Sequence, residues 1–562
     1  FYNYKMQLVP ELMSQEETEI YEAGTWEDWY DIVTRTGITQ HHNLSVSGAT
    51  QSTKYYISGA LLDVRGLTLN DDLLRVTSRI NVDTELNSWL TIGTRTQFSY
   101  NDQSGESPSW SQAFSMNPLT RAYDENGNIN VYPWKNNPYY GNPLAGLLYD
   151  NIDESYQILT NNYAIIKFPF IEGLNYRINT GFRFRFSDEA TYRGRNTKQG
   201  LELGGSSDAN RERFNNSVIE NILTYNREFN KHTIFATAVY SFEHDKSSSH
   251  SLHAEKYPND FLSWYASAQA ELRSPSYSYN ETALISQMLR LNYTYDKRYL
   301  LTLTGRRDGY SGFGSLKKWG IFPSLALGWN FANETFFPFS ELFNEFKFRL
   351  SYGLNGNQAV GAYRTITRLS EYNMVDAKVT IPGYWPSVFG DENLGWESSK
   401  TLNFGLDFGI LNNRFSGNLN AYKTLTSDLL LNRAISPVHG LTSITQNIGK
   451  VENTGLEISF NSRNISSSRF EWSTSVNMAF VKNRIISLYG ELDEAGNEID
   501  DLANNWFIGH PVRVNYGFVR IGVWQLNEAE EAAKWGSQPG YIKIKDVNGD
   551  YILDVNDMEI IG

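Results

Sequence analysis

Apolar and polar residues alternate strictly through much of this chain. From Leu289 to Tyr295 the apolar positions are Leu289, Leu291, Tyr293 and Tyr295, with Arg290, Asn292 and Thr294 between them. The polar triplet Asp296-Lys297-Arg298 predicts a tight reversal. Tyr299, Leu301 and Leu303 then share one face, and Thr302, Thr304 and Arg306 the other. A Gly-rich loop over 308–320 leads to Ile321, Leu325, Leu327, Trp329 and Phe331 on one face of a third strand. Phe346, Phe348, Leu350, Tyr352 and Leu354 repeat the pattern in a fourth. Period two gives a strand one apolar and one polar face. Aromatic-rich apolar faces, arginines on the polar faces, and short turns alternating with long loops predict an all-β fold. Its architecture is a large antiparallel transmembrane β-barrel with long extracellular loops.

The clearest hairpin runs from Tyr163 to Phe186 and turns at Glu172-Gly173. Tyr176, Ile178, Phe182, Phe184 and Phe186 share a face, and Arg177, Asn179, Arg183 and Arg185 share the other. Energetics assign the faces. An arginine on the lipid side costs about 2–4 kcal/mol at the bilayer midplane, which forbids a row of three there. Arg177, Arg183 and Arg185, and Arg290 on its own strand, are therefore expected to face a wet lumen. In a soluble protein the same row would face bulk water, and periodicity alone does not separate the two cases.

Strands are also expected at 42–47, 54–62, 75–82 and 90–100. Others follow at 402–410, after Asn412-Asn413, at 456–460 and at 472–480, for about sixteen in all. Residues 101–151 have no sustained period and form a long connection. A helix-like acidic patch surrounds Ser14-Gln15-Glu16-Glu17, and Asn527 to Lys534 reads as a short helix on a loop.

Composition narrows the class. The 35 Tyr, 31 Phe and 14 Trp in 562 residues suit interfacial aromatic girdles, and equally an aromatic-rich soluble β-protein. No apolar run approaches the roughly 18 residues of a helical span. A net charge of −14 argues against a nucleic-acid partner, because neutralising phosphates needs a basic face. The absence of cysteine excludes disulfides, thiolate nucleophiles and Cys-ligated metals. Phe1 follows no leader, and Ile561-Gly562 reads as an interruption, so the chain is expected to be the middle of a longer protein.

Few motifs carry chemistry. Asp546, Asn548, Asp550, Asp554 and Asp557 place oxygen side chains at positions 1, 3, 5, 9 and 12 of a loop, and Ile552 can offer its carbonyl at position 7. That is the spacing of an EF-hand-type calcium loop, whose oxygens wrap one hard cation. Tyr551 stands where Gly is usual, and Asp557 where a bidentate Glu is usual; the plain alternative is an acidic Asx-turn. Bound Ca2+ would be structural, stiffening the loop. His250 and His253 are spaced for zinc, but they follow a Ser-rich stretch, lack a third ligand and read as a surface loop. Gly312-Phe313-Gly314 lacks the βαβ context of a phosphate cradle. No carboxylates pair for acid/base work, so no enzyme activity is expected. Trp110, Tyr132, Trp134, Tyr139 and Tyr140 in the long connection are candidate sugar-stacking residues or, equally, anchors that pack the loop.

Several stretches together resemble the SusC/RagA family of TonB-dependent outer-membrane transporters. They include Asn43-Leu44-Ser45-Val46-Ser47-Gly48 with Tyr55-Tyr56-Ile57-Ser58, and Arg306-Arg307-Asp308-Gly309-Tyr310-Ser311-Gly312-Phe313-Gly314. Trp319 to Ser324 with Gly328-Trp329, Arg349 to Gly353, Asn393 to Glu397, Asn447 to Gly455 and Gly522 to Gln525 follow in order. The resemblance implies a plug followed by a barrel of about 22 strands, in the outer membrane of a Gram-negative bacterium. It implies import of a nutrient, foremost an oligosaccharide, beneath a SusD-like lipoprotein lid and driven by TonB; two transporter–lid pairs could assemble. Peptide or siderophore uptake is the alternative within this fold, and a secreted glycan-binding protein or hydrolase the alternative outside it. Residues 1–40 would lead from a missing plug into the barrel, and 41–562 would form a barrel lacking its last strands. An Asp-rich loop like 546–557 also occurs in SusC-like proteins.

Overall fold

The computed structural model describes residues 13–376 and 379–561; residues 1–12 of the expected lead-in segment lie outside the described residues. The first twelve strands are β1 (Ile38–Ala49), β2 (Thr53–Arg65), β3 (Asp72–Asn87), β4 (Leu90–Asp102), β5 (Asp150–Lys167), β6 (Leu174–Arg193), β7 (Ser206–Phe229), β8 (His232–Glu255), β9 (Leu272–Tyr295), β10 (Tyr299–Tyr310), β11 (Trp319–Asn330) and β12 (Phe343–Asn357). Then come β13 (Arg368–Asp376), β14 (Val379–Val388), β15 (Glu397–Ile410), β16 (Phe415–Ser427), β17 (Leu430–Ala434), β18 (Ser443–Asn447), β19 (Lys450–Ser466) and β20 (Glu471–Ser487). Among the described residues one sheet holds sixteen strands, in the order β1 to β12, β15, β16, β19, β20. Four two-stranded ribbons of the same described residues stand beside it: β13–β14, β17–β18, Tyr516–Phe518 with Met558–Ile560, and Arg520–Val523 with Ile542–Ile544. The chain divides into two compact units, Phe1–Leu223 with Val239–Ile285 and Thr224–Ala238 with Ser286–Gly562.

In the first unit, antiparallel register aligns Leu44, Gly59, Ser78, Phe98, Ile158 and Phe184 across β1–β6. The next row is Val46, Ile57, Ile80, Thr96, Thr160 and Phe182. These apolar side chains are not packed into a core: Leu44, Val46, Ile57, Ile80, Phe98, Ile158 and Phe182 are all exposed. The buried clusters lie instead at the long-loop end. Helix α1 (Gln15–Ala23) starts at a capping box of Ser14 and Glu17, as the acidic patch suggests. Trp29 and Val33 of α2 (Trp29–Val33) pack with Ala113 of α3 (Trp110–Ser115), Met116, Ala122 and Leu144. A second cluster joins Tyr192, Ala254, Tyr257 and Trp264. It lies close to the short helix α4 (Lys198–Leu203), on the β6–β7 connection.

In the second unit most connections alternate in length, although the one after β11, 331–342, is longer than the one after β10, 311–318. Short turns follow β9, β15 and β19, and long loops follow β12, β16 and β20. The expected Asn412-Asn413 reversal forms with φ of 56° and 58°, beside Leu411 at 55°. Phe331, Phe336, Phe337, Phe343, Phe346 and Phe348 make a run of edge-on and tilted contacts at 4.9–6.1 Å, next to Trp329. These rings form one aromatic cluster around the β11–β12 connection. Helix α5 (Ala529–Lys534), preceded by a 3-10 turn at Leu526–Glu528, forms where one was expected.

The strands are longer than the sequence periodicity suggests. His250 and His253 in particular lie inside β8, not on a loop. His253 pairs Asp208 at 2.6 Å and Glu255 at 2.9 Å, and His250 packs on the Tyr277 ring at 4.6 Å. The Gly-rich loop likewise shrinks to 311–318, because β10 runs to Tyr310 and β11 starts at Trp319.

Candidate functional site

The arginine-bearing face is a mesh of polar contacts. On β6, Arg177 donates to Asn179 at 2.6 Å and stacks over the Tyr163 ring at 4.4 Å, and Asn179 donates to Glu220 at 3.0 Å. Arg95 forks onto Asp83, with Nη1 and Nη2 at 2.8 and 2.6 Å, and the Tyr163 hydroxyl donates to the same carboxylate. These groups border a groove of about 360 Å³ lined by Arg95, Asn161, Tyr163, Arg177, Asn179 and Glu220. Further along β6, Arg183 donates to Gln157 at 3.1 Å, and Arg185 lies 3.9 Å from Glu212. The three β6 arginines thus share a face, with a partner for each.

The second unit repeats the chemistry. Arg290 donates to Thr304 at 3.1 Å, and Arg349 forks onto Asp407 at 2.8 and 2.7 Å while reaching Asn420 at 3.0 Å. A groove of about 460 Å³ on this face includes Asn355, Thr401, Asn403, Asn420, Tyr422 and Glu457. Paired charges and amides of this kind leave many donors and acceptors turned to water, which suits a polar solute.

The loop aromatics divide into two groups. Trp134 and Tyr140 stack at 5.6 Å and pack against the buried cluster around Leu144, so they anchor the loop. Tyr139 meets Tyr140 edge-on but is 80% exposed. Trp110 is held by a 2.7 Å bond from its indole N–H to Thr68, yet keeps an exposed ring. Tyr132 donates to Glu202 at 3.4 Å. Sequence reasoning missed that Tyr30 and Phe114, both exposed, join Trp110 at centroid distances of 5.7 and 6.4 Å from Tyr30. The signal was the Trp29-Tyr30 pair, whose distance along the chain hid its partner.

The 546–557 loop is a coil of backbone-to-carboxylate bonds. Asp546 accepts from Gly549 at 2.6 Å and Tyr551 at 3.2 Å, Asp550 from Ile552 at 2.7 Å, and Asp554 from Asn556 at 2.8 Å. Fully buried Asp557 accepts from Val547 at 2.9 Å and Asp554 at 3.1 Å, and these backbone N–H groups hold its carboxyl below the usual range. Asn548 accepts from Asp550 at 3.1 Å. Tyr551 has φ of 64°, the left-handed turn that position six of such a loop requires. Among the described residues no three His, Cys, Asp or Glu side chains converge in a metal-holding group.

Long antiparallel strands with an exposed apolar face and a bonded arginine face define a class, the membrane-spanning β-sheet. Among the described residues no helix is long and apolar enough to cross a membrane, which says nothing of strands. The sequence profile of the family described as TonB dependent receptor-like, beta-barrel matches residues 87–556, and the chain belongs to that family. It is 30% identical over 563 residues to TonB-dependent receptor P3 of Formosa agariphila, covering 95% of this chain and 55% of that one. It is 27% identical over 529 residues to TonB-dependent receptor SusC of Bacteroides thetaiotaomicron, covering 86% of this chain and 51% of that one. The RagAB peptide importer in its closed-closed state superposes with a TM-score of 0.80 at 22% identity, over 95% of this chain and 60% of that one. At that identity the likeness bears on the fold alone. The chain spans about half the length of the curated relatives it matches.

Proposed function

We propose that this chain supplies barrel strands of an importer in the outer membrane of a Gram-negative bacterium. The importer takes up an oligosaccharide with TonB and a SusD-like surface lipoprotein. The observation that carries the reading is the opposition of the two sheet faces. Exposed rows such as Leu44, Val46 and Ile57 suit hydrocarbon, while Arg177, Arg183, Arg185 and Arg290 suit a wet lumen. A soluble glycan-binding protein or hydrolase would leave those apolar rows against water, as patches larger than soluble monomers carry. No bond is made or broken in transport; selection falls to the lumen mesh and to the exposed rings of Tyr139 and Trp110, whose faces suit pyranose C–H surfaces. In the same reading Asp546, Asn548, Asp550, the Ile552 carbonyl, Asp554 and Asp557 hold a structural Ca2+; the left-handed turn at Tyr551 supports this.

A second reading, peptide uptake, is favoured by the likeness to RagAB, which is described as a peptide importer. Calorimetric titration of the whole transporter–lid complex with oligosaccharide and peptide pools separates the two. Oligosaccharide binding is expected, and Tyr139→Ala should weaken it by about 1 kcal/mol, roughly fivefold in Kd. Tyr140→Ala should instead lower thermal stability. Binding of peptides alone would replace the glycan reading.

A further inference from the structure

We propose that the second unit carries a site for an anionic membrane lipid, whose phosphate headgroup keeps a net negative charge, on its apolar face at the long-loop end. The inference rests on the reading that this face meets hydrocarbon. Register across β12, β15, β16, β19 and β20 aligns Leu350, Phe404, Ala421, Leu456 and Phe480 in one row. One step toward the long loops, the row becomes Tyr352, Leu402, Lys423, Thr454 and Lys482. One step further it reads Leu354, Lys400, Leu425, Glu452 and Arg484. The face therefore passes from wholly apolar to cationic within two steps, and the switch falls on neighbouring strands.

Four cations, Lys400, Lys423, Lys482 and Arg484, are exposed here around a single carboxylate. Glu452 is bridged by Lys423 at 2.8 Å and by Arg484 at 2.8 Å, which sets those two cations on either side of it. Lys400 and Lys482 make no ion pair among the described residues. In a chain with a net charge of −14, such a cluster on an apolar face stands out. On β15 and β20 the apolar stretch below the cations runs from Ile410 to Leu402 and from Trp472 to Phe480. Each stretch is about as long as a barrel strand needs to cross the hydrocarbon, so the cations sit at its edge, where long side chains reach the headgroups.

Below them lies a groove of about 500 Å³ lined by Leu350, Leu402, Phe404, Ala421, Leu456 and Phe480, with Lys423 and Lys482 at its margin. A soluble anion would use only the upper half of this arrangement. An acyl chain in the groove with a phosphate against the lysines uses both halves, and that amphiphilic match selects the lipid.

The test is native mass spectrometry of the whole detergent-purified protein, offered equal amounts of phosphatidylglycerol and phosphatidylcholine. Insertion into nanodiscs is scored separately. Wild type should retain phosphatidylglycerol with about a fivefold preference or more, as basic residues near a membrane surface confer. Millimolar inorganic phosphate should not displace it. The Lys423→Gln/Lys482→Gln variant should fall to near parity between the lipids while inserting as wild type does. Unchanged preference in the variant overturns the proposal, and so does displacement by inorganic phosphate, which would mark a free-anion site. Failure of wild type to insert would sink the membrane reading itself, a separate readout.

Discussion

Glu334 shows how much one side chain can organise at the short-turn end of the second unit. It is 5% exposed and accepts from the Trp329 indole N–H at 2.9 Å and from Arg298 at 3.0 Å, while Arg298 also pairs with Asp296. The Tyr299 hydroxyl first, then the Trp329 indole and the Arg298 guanidinium, hold its carboxyl below the ordinary glutamate range. A carboxyl depressed in the folded state contributes stability above its unfolded pKa, and that stability is lost as pH falls through the folded value. Glu334→Gln should therefore lower the thermal midpoint at neutral pH. The gap from wild type should begin to close as pH falls below the ordinary glutamate value of about 4.3 and be gone once pH has passed the depressed folded value, where the wild-type residue is protonated too. A pH series of midpoints for both proteins checks this; a gap that persists in acid would mean that shape, not charge, is what Glu334 supplies.

At the scale of elements, the membrane-crossing parts of the strands were legible and their outer parts were not. Alternation exists because two different media meet the two faces, so it fades where a strand leaves the apolar band. From Glu243 to Ser251, through Ser247-Ser248-Ser249, β8 is a paired strand that is polar on both faces, and sequence alone reads that as a loop. The turns were legible because their chemistry is local: Gly173 at φ of 85° and Asn412-Asn413 stand where they were expected. Among the loop aromatics, the packing partners of Trp134 and Tyr140 come from segments distant in sequence, so anchor and exposed ring could not be told apart. The 546–557 coil lies between these cases, since its spacing was legible and its turn formed, with Tyr551 paying about 1 kcal/mol or more for a left-handed backbone. Millimolar Ca2+ should raise the thermal midpoint and chelation should reverse it. Tyr551→Gly should tighten binding by relieving the turn, and Asp546→Ala should abolish the response. Midpoints indifferent to Ca2+ in wild type would leave the coil an acidic Asx-turn.

For the whole molecule, the decisive quantity is the difference in cost between the two faces of one strand. Phe404 and Asn403 are neighbours on β15; Phe404 is exposed in the apolar row, and Asn403 borders the polar groove. If the apolar row meets lipid, Phe404→Arg brings a guanidinium into hydrocarbon and should cost about 2–4 kcal/mol, falling toward zero near the interface. Asn403→Arg adds a guanidinium to a face that already carries Arg349, and its cost should be well under that. Urea titration of the protein refolded into phospholipid vesicles, read by the heat-modifiable shift of its gel band, measures both changes on one scale. A soluble β-protein predicts the opposite ordering of effects: an exposed arginine in place of Phe404 would be nearly neutral in water, and the crowded polar face would suffer more. The sign of the difference between the two variants therefore decides which medium the apolar rows meet, independently of any transported ligand.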